Sequence, residues 1–461
     1  MLETQNLGGQ LKVNIFIIDK KLKGCLQVLL WHLDKRWWFS VVTFYIVDSL
    51  PSTGKTSACI NMMNENTDER YLFVTPFIDE TDRIVEACKS RGFEKPKEQE
   101  MWSPYKKLDD LHRLLREKKN IASTHALFFN YTDETRQLIR EGEYILVLDE
   151  VIDPLQQVGE EDVNLTDLDL AMRKGVFEVY GDEYNFKDEE YEKKDGKFLK
   201  NVNKKLKSRK LIRGDDGVAF WGFNADTLKC FKKGYLLTYM FEHQPMRQFI
   251  ELCGIEYQYL GVKKAGGKYQ FCPPEEMDRK IDLTDKIHIL DDEKLNELGD
   301  EFYNLSLNWF KKGNGKKEKE LKDNIYNYFR NKLGGTSEDR MWTSFKCVKD
   351  RVKGKGYSKG FVAFNMRATN KYGHKKYIAY GVNVFMQPWK VRYFKKHGAR
   401  DINQDMWALS YCLQFLFRSR IRRGEEIWVY IPSRRMRELL KRWLINLKEG
   451  RDLEEIILDK K

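Results

Sequence analysis

Short apolar runs alternate with longer amphipathic stretches in the first third of the chain. The apolar runs are rich in β-branched and aromatic residues and are bounded by turn-forming residues, which predicts buried strands. Strands that alternate with helices indicate an α/β fold in which helices cover a parallel sheet. The predicted strands are Val41–Val47, Tyr71–Pro76, Asn120–Thr124 and Tyr144–Leu148, and the predicted helices are Lys55–Met63, Asp79–Ser90 (with Asp79 as its N-cap) and Leu108–Glu117.

The pattern changes twice further along. Residues 155–217 are first acidic and then strongly basic, which we interpret as an insertion in the first lobe. A strand at Gly234–Met240 and a helix at Arg247–Cys253 follow. The second unit has predicted helices at Glu293–Phe310, Leu321–Leu333, Gln404–Arg422 and from Ser433, and predicted strands at Phe361–Asn365, Tyr377–Asn383 and Ile427–Ile431. We therefore expect lobes at 41–245 and 246–461, preceded by an extension of unclear role at 1–40.

A phosphate-binding loop is predicted where the first strand meets the first helix. The segment Ser49-Leu-Pro-Ser-Thr-Gly-Lys-Thr56 has the spacing of a P-loop, with Ser49 in place of the usual leading Gly or Ala. Loop N–H groups and the helix N-terminus would cradle phosphates. An ordinary loop is the alternative, but a strand before it and a helix after it favour a nucleotide site. The predicted nucleotide-binding residues are Ser49, Pro51, Ser52, Thr53, Gly54, Lys55, Thr56 and Ser57.

A pair of acids ends the fourth predicted strand. Asp149 is placed to hold Mg²⁺ together with the Thr56 hydroxyl, and Glu150 to orient the attacking water. Taken alone, such a pair is more often a helix cap or a solvated turn. About a hundred residues after a P-loop, it is better read as the second half of an ATPase site.

The order of these motifs resembles that of superfamily 2 helicases of the DEAD/DEAH type. Asp149-Glu-Val-Ile152 is similar to their acidic box, Val74-Thr-Pro76 to motif Ia, and Leu237-Thr-Tyr239 loosely to the Ser-Ala-Thr motif. The segment Gln414–Arg422 resembles motif VI, with Phe417 for its Gly and Ile421 at its second arginine. The overall pattern is most like compact helicases of phages and mobile elements.

This resemblance implies two RecA-like lobes with ATP and Mg²⁺ between them and nucleic acid across both. It implies catalytic roles for Lys55, Asp149, Glu150, Gln414 and Arg418, and the helical register of a Gln404–Arg422 helix would add Arg422. Each motif match outside the P-loop and the acidic box, taken alone, is also compatible with an ordinary strand end. The nucleic-acid contacts it implies are Thr75, Pro76, Thr124, His125, Arg367, Thr369 and Asn370.

Charge and composition narrow the class of partner. A net charge of +12 and a pI near 9 favour a polyanion, either nucleic acid or an acidic membrane surface, although a solvated basic surface is the alternative. The uninterrupted apolar run Trp37–Val47 is too short to span a bilayer. The eight scattered cysteines suggest neither a zinc site nor disulfides, so we expect a cytoplasmic protein.

The basic stretch Lys346–Lys376, with its interleaved aromatic residues, is a predicted nucleic-acid surface. DNA is weakly favoured over RNA, no membrane partner is expected, and the oligomeric state is open. The leading hypothesis is an ATP-dependent helicase or translocase. Its rivals are a remodeller that does not separate strands, a nucleic-acid-binding clamp switched by ATP, and a small-molecule P-loop kinase.

Overall fold

The structure is a computed structural model that describes residues 4–7, 10–13, 42–97, 106–159, 165–187, 197–215, 218–278, 280–313, 315–366 and 370–451. The chain divides into two compact units, Met1–Val42 and Thr43–Lys461. In the first unit, strands β1 (Thr4–Leu7) and β2 (Gln10–Val13) form an antiparallel pair. Within the described residues, no helix is long and apolar enough to cross a bilayer.

Lobe 1 is built on an eight-stranded sheet in the order β15-β14-β3-β13-β7-β4-β6-β5. All neighbours are parallel except β14 and β15, which are antiparallel. The strands are β3 (Thr43–Asp48), β4 (Tyr71–Thr75), β5 (Phe93–Glu94), β6 (Asn120–Thr124), β7 (Ile145–Asp149), β13 (Lys233–Thr238), β14 (Glu256–Ala265) and β15 (Lys268–Cys272). The parallel sheet predicted from the alternating pattern is therefore confirmed.

Helices flank this sheet on the chain segments between its strands. They are α1 (Lys55–Glu65), α2 (Ile78–Ala87), α3 (Lys106–Arg116), α4 (His125–Phe128), α5 (Asp133–Glu141), α8 (Asp226–Lys229) and α9 (Pro245–Leu252). Asp79 is not the N-cap of α2, because Phe77 occupies that position without a side-chain hydrogen bond. The predicted start of lobe 2 at residue 246 precedes β14 and β15, which still belong to the first sheet.

The insertion is a small folded layer of its own. Five antiparallel strands in the order β8-β12-β11-β10-β9 surround a core that includes Val202, Leu211 and Trp221. This sheet reaches Phe223, beyond the predicted end of the insertion at residue 217. Its elements are β8 (Leu155–Gln157), α6 (Leu165–Arg173), β9 (Phe177–Tyr180), β10 (Glu183–Phe186), α7 (Lys197–Leu206), β11 (Arg209–Arg213) and β12 (Ala219–Phe223).

Lobe 2 contains a four-stranded parallel sheet in the order β16-β19-β18-β17. Its helices lie between and after these strands. The strands are β16 (Ile287–Ile289), β17 (Arg340–Thr343), β18 (Tyr377–Tyr380) and β19 (Ile427–Tyr430). The helices are α10 (Glu293–Asn296), α11 (Leu307–Lys311), α12 (Lys316–Asn327, continued by a π-helical turn), α13 (Lys349–Val352), α14 (Pro388–Lys396), α15 (Gln404–Leu416) and α16 (Arg434–Glu449).

Two predicted elements near the start and middle of lobe 2 are wrong, in addition to the helix at Gln404–Arg422, which ends at Leu416. The helix expected at Glu293–Phe310 is broken, because Gly299 lies against the backbone of Pro432 and Leu305 adopts a positive φ of 63°. The strand expected at Phe361–Asn365 is reduced to a single bridge between Phe361 and Trp342. Its place in the sheet is taken by β17, which the pattern did not reveal.

The two lobes share buried apolar contacts. Leu50, from the P-loop, and Met240, which follows β13, belong to a core cluster otherwise made mainly of lobe 2 residues such as Leu413 and Met436. Burial of this kind is the main favourable contribution to packing. It places the loops at the carboxyl edge of the first sheet directly against the second lobe.

Candidate nucleotide and nucleic-acid site

Three parallel strands bring the predicted catalytic residues to one edge of the first sheet. Strand β13 lies between β3 and β7, so the strand that ends in the acidic pair is not the immediate neighbour of the strand that precedes the predicted P-loop. In the observed register Thr238 pairs with Asp48, and Leu237 pairs with Asp149. Since the carboxyl ends of parallel strands meet at one edge, the P-loop and the acidic pair face the same crevice.

The P-loop is shaped by its own side chains and by two left-handed residues. The Ser49 and Thr53 hydroxyl oxygens are 2.9 Å apart, and the Thr53 hydroxyl donates to the carbonyl of Leu50 at 2.8 Å. Ser52 and Gly54 have φ values of 71° and 93°. Gly54 is also the N-cap of α1, which directs the first helical N–H groups toward the crevice.

Lys55 lies inside this loop. Its Nζ donates to the carbonyls of Ser49 and Leu50 at 2.5 and 3.0 Å. Burial lowers the pKa of Lys55 to about 8, while the carboxylates of Asp48, Asp149 and Glu150 oppose that shift. Arg422, from lobe 2, adds to the lowering, which places this arginine within electrostatic reach of the P-loop lysine. A phosphate would have to replace the two carbonyls as the partner of Nζ.

The acidic pair ends β7. Burial raises the pKa of Asp149 to about 7, and Glu150 and Glu80 add to the effect, whereas Arg83 and Lys55 lower it. Glu150 has a φ of 60°, and its N–H donates to the carbonyl of Leu237 at 3.0 Å. A positive φ is unusual for a residue with a side chain and is found at functional turns.

Two oxygen-bearing side chains at this edge, those of Thr56 and Asp149, are candidates to bind the Mg²⁺ of a Mg²⁺–nucleotide. Thr56 is in the first turn of α1, and Asp149 is within electrostatic reach of Lys55. Among the described residues no group of three or more His, Cys, Asp or Glu side chains could form an all-protein metal site. Mg²⁺ in nucleotide sites takes only one or two protein ligands and completes its shell with phosphates and water. The donor set therefore fits Mg²⁺ that arrives with a nucleotide.

The second lobe contributes its arginines through a turn and not through a continuous helix. Helix α15 ends at Leu416. Beyond it, the Ser419 hydroxyl donates to the carbonyl of Leu416 at 2.6 Å, and the N–H of Arg420 donates to the carbonyl of Lys375 at 3.2 Å, so the α-helical hydrogen bonds do not continue. The predicted helix to Arg422 is thus wrong. The argument that Gln414, Arg418 and Arg422 share one helical face is wrong with it.

Arg418 and Arg422 nevertheless interact electrostatically with lobe 1, Arg422 with Lys55 and Arg418 with Glu150. Arg418 is 2% exposed, donates to the carbonyl of Phe364 at 3.3 Å, and keeps an Nε atom with no hydrogen-bond partner. Burial lowers the pKa of Arg418 to about 10, and Glu150 is the first charge that opposes this shift. Arg420 points elsewhere, since its Nε donates to the carbonyl of Glu426 and its guanidinium lies over Trp428.

Sequence reasoning missed several residues of this site. Asp48 accepts the N–H groups of Met240 and Phe241, both at 2.8 Å, and burial raises its pKa. Tyr239 accepts a hydrogen bond from the indole of Trp443 in α16 at 3.0 Å. Asp48 could have been found as an acid that ends the P-loop strand. The contact of Tyr239 with the second lobe has no local sequence signal.

The residues predicted to contact nucleic acid differ in exposure. Thr75 is fully buried, and His125 is 5% exposed with Nε2 at 2.9 Å from the carbonyl oxygen of Asp149, so neither is available for the predicted contact in this structure. Pro76 and Thr124 are half-buried. Arg367, Thr369 and the side chain of Asn370 lie outside the described residues.

A basic cavity adjoins Thr124 at the same edge. It has a volume of about 290 Å³, and three of its lining residues are Lys95, Lys97 and Lys107. In the basic stretch 346–376, by contrast, none of the four Phe and Tyr rings is exposed: Tyr357 is fully buried, and Phe361, Phe364 and Tyr372 are half-buried. The aromatic rings of that predicted surface therefore belong mostly to the core, and its exposed side chains are mainly the charged ones.

Comparison with known proteins identifies the family. Residues 281–444 match the family model described as the YonV C-terminal Rossmann-like domain. The SPbeta prophage-derived uncharacterized protein YonV of Bacillus subtilis (strain 168) is 38% identical over 412 residues, which are 87% of this chain and 98% of that protein. The chain belongs to the YonV family. The matched Rossmann-like domain of YonV corresponds to lobe 2 as observed, from before β16 into α16.

Solved structures similar to this YonV-family chain include Xpd4 and the DUF1998 helicase MrfA. Xpd4 of S. tokodaii has a TM-score of 0.45 and 11% identity, over 92% of this chain and 96% of that chain. The DUF1998 helicase MrfA, bound to DNA and AMPPNP, has a TM-score of 0.32 and 9% identity, over 97% of this chain and 54% of its own. These values are too low to transfer an activity, so the function is argued from the residues of the site.

Proposed function

We propose that this chain is a nucleic-acid-dependent ATPase that works as a helicase or translocase of the superfamily 2 type. One observation carries the proposal. Leu50 of the P-loop is buried against lobe 2, and across this junction Arg422 of lobe 2 interacts electrostatically with Lys55 and Arg418 of lobe 2 with Glu150. An ATPase site divided between two lobes couples hydrolysis to lobe movement.

Each residue has a role that its position supports. Lys55 compensates phosphate charge, and Thr56 and Asp149 hold Mg²⁺, which supplies further compensation when it is bound. Glu150 orients the attacking water. Arg418 and Arg422 stabilise charge that develops at the terminal phosphate, because arginine carries a permanent charge and a planar set of donors. Gln414 precedes the turn that positions both arginines.

The basic cavity beside Thr124 and the net charge of +12 support nucleic acid as the partner. The cavity is lined by the carboxyl end of β6 and by the first turn of α2, and β6 is separated from the acidic strand β7 by β4 alone. Binding there would be felt at the acidic pair through His125, which contacts the carbonyl of Asp149.

The test is ATP turnover with and without single-stranded DNA, duplex DNA and RNA, with strand displacement scored in the same reactions. Glu150→Gln is expected to bind ATP like the wild type and to lose hydrolysis, because it keeps the shape of the side chain and removes its charge. Wild-type turnover by Glu150→Gln would reject the assignment of the acidic pair. Turnover stimulated by nucleic acid without strand displacement would identify a remodeller.

A further inference from the structure

A lysine of lobe 2 contacts the segment that follows the acidic pair. Lys390, in α14, places its Nζ 2.7 and 2.6 Å from the two carboxylate oxygens of Asp153. The lysine is 6% exposed, whereas the Asp153 side chain is 38% exposed. A lysine is rarely this buried unless a carboxylate pairs with it. The pair is therefore a specific contact between α14 and the end of the acidic segment.

Asp153 is three residues beyond Glu150, and the chain between them has no regular secondary structure. Glu150 also has a φ of 60°, a conformation that costs free energy and persists only where its surroundings impose it. On the amino-terminal side, the bond from Glu150 N–H to Leu237 supplies such a constraint. On the carboxyl-terminal side, the Lys390–Asp153 pair is a constraint that comes from the other lobe.

The same helix also contacts the insertion, at a different place. Phe220 stacks on Trp389 with ring centroids 4.7 Å apart. Lys396 pairs with Asp182 at 2.9 Å and with Asp215 at 3.1 Å. These contacts dock the insertion on α14 but involve no residue of the acidic segment. Lys396 is therefore a matched control for Lys390: same helix, same residue type, and an ion pair to lobe 1.

We propose that Lys390 is a positioning residue that ties the second lobe to the conformation of Glu150. When the lobes are together, the Lys390–Asp153 pair fixes the segment that carries Glu150. When they separate, the pair breaks and the water-orienting carboxylate loses its position. Hydrolysis is thereby limited to the closed arrangement. This role rests on the proposed ATPase function.

The experiment compares Lys390→Met, Lys390→Arg, Asp153→Asn and the control Lys396→Met in the full chain. We expect Lys390→Met and Asp153→Asn to lower kcat by about a hundredfold, the size of effect that a misplacement of about 1 Å can produce. KM for ATP should change little, because neither residue contacts the P-loop, whereas Asp153→Asn should also lower the thermal midpoint because it leaves the buried Lys390 without its carboxylate. Lys390→Arg should restore most of kcat, and Lys396→Met should leave it unchanged.

Wild-type kcat in both Lys390→Met and Asp153→Asn would overturn the positioning role. An equal loss in Lys396→Met would do so as well, because docking of the insertion would then be sufficient to explain it. A rise in KM with unchanged kcat would also refute it. No turnover in the wild type under any condition would reject the proposed function itself, which separates that failure from a failure of Lys390 alone.

Discussion

Asp149→Asn offers a test of the site that needs no substrate. The pKa of Asp149 is raised from 3.8 to about 7, first by burial and then by Glu150 and Glu80. Because the folded-state pKa lies above the unfolded value, the folded state binds more protons than the unfolded state between about pH 4 and pH 7. The contribution of Asp149 to stability is therefore present at low pH and is lost as pH rises through this window.

The size of the effect follows from the same values. A rise from 3.8 to about 7 corresponds to about 4 kcal/mol against the ionised carboxylate. Asp149 is only partly buried, so solvent screening reduces this to about 2 kcal/mol. Asparagine has nearly the same shape and no charge. We therefore expect Asp149→Asn to be more stable than the wild type by about 2 kcal/mol near pH 8 and about equal to it near pH 4.

The assay is urea unfolding of the nucleotide-free protein across this pH range, read as the difference between variant and wild type. Other titrating groups, such as His243, contribute equally to both proteins and cancel in the difference. Asp68→Asn, at an exposed turn after α1, is the control and should show no pH-dependent difference. Mg²⁺ with ATP should then stabilise the wild type more than Asp149→Asn. Parallel pH profiles for Asp149→Asn and wild type would refute the reasoning.

Two further predictions concern the arginines and the basic surface. In ATP turnover assays, we expect Arg418→Ala to lower the rate on the order of a thousandfold and Arg422→Ala nearly as much. Arg420→Ala should lower it little, because the Arg420 side chain contacts Glu426 and Trp428 instead of the crevice. An inactive Arg420→Ala beside an active Arg422→Ala would contradict this order. Neutralising Lys346, Lys355 and Lys359, which are all exposed, should flatten the slope of log K against log salt by up to about three in nucleic-acid binding titrations. An unchanged slope would show that these lysines only solvate the surface.

The strand, loop and helix of Thr43–Glu65 and the strand that ends at Asp149 were predictable because their signals are local. A buried strand, a loop of fixed spacing and a helix follow one another in Thr43–Glu65, and the strand that ends at Asp149 is apolar throughout. Strand β17 (Arg340–Thr343) gave no such signal, since it has four residues and begins with an arginine that is buried by bonds to backbone carbonyls. Strand β14 joins the first sheet by pairing with β3, which lies far away in the sequence, and β15 pairs with β14. A short stretch of sequence therefore does not predict that these two strands belong to the first sheet.

The turn after α15 places Arg418 and Arg422 by a route that differs from the predicted helical register. The chain leaves the helix at Leu416, and Arg420 then anchors it: its N–H bonds to Lys375, and its side chain bonds to Glu426. Arg418 and Arg422 lie two residues on either side of this anchor. Because the anchor is fixed to the second sheet, any movement of lobe 2 carries both arginines with it. Their distance from Lys55 and Glu150 is thus set by lobe position, as a site assembled only on closure requires.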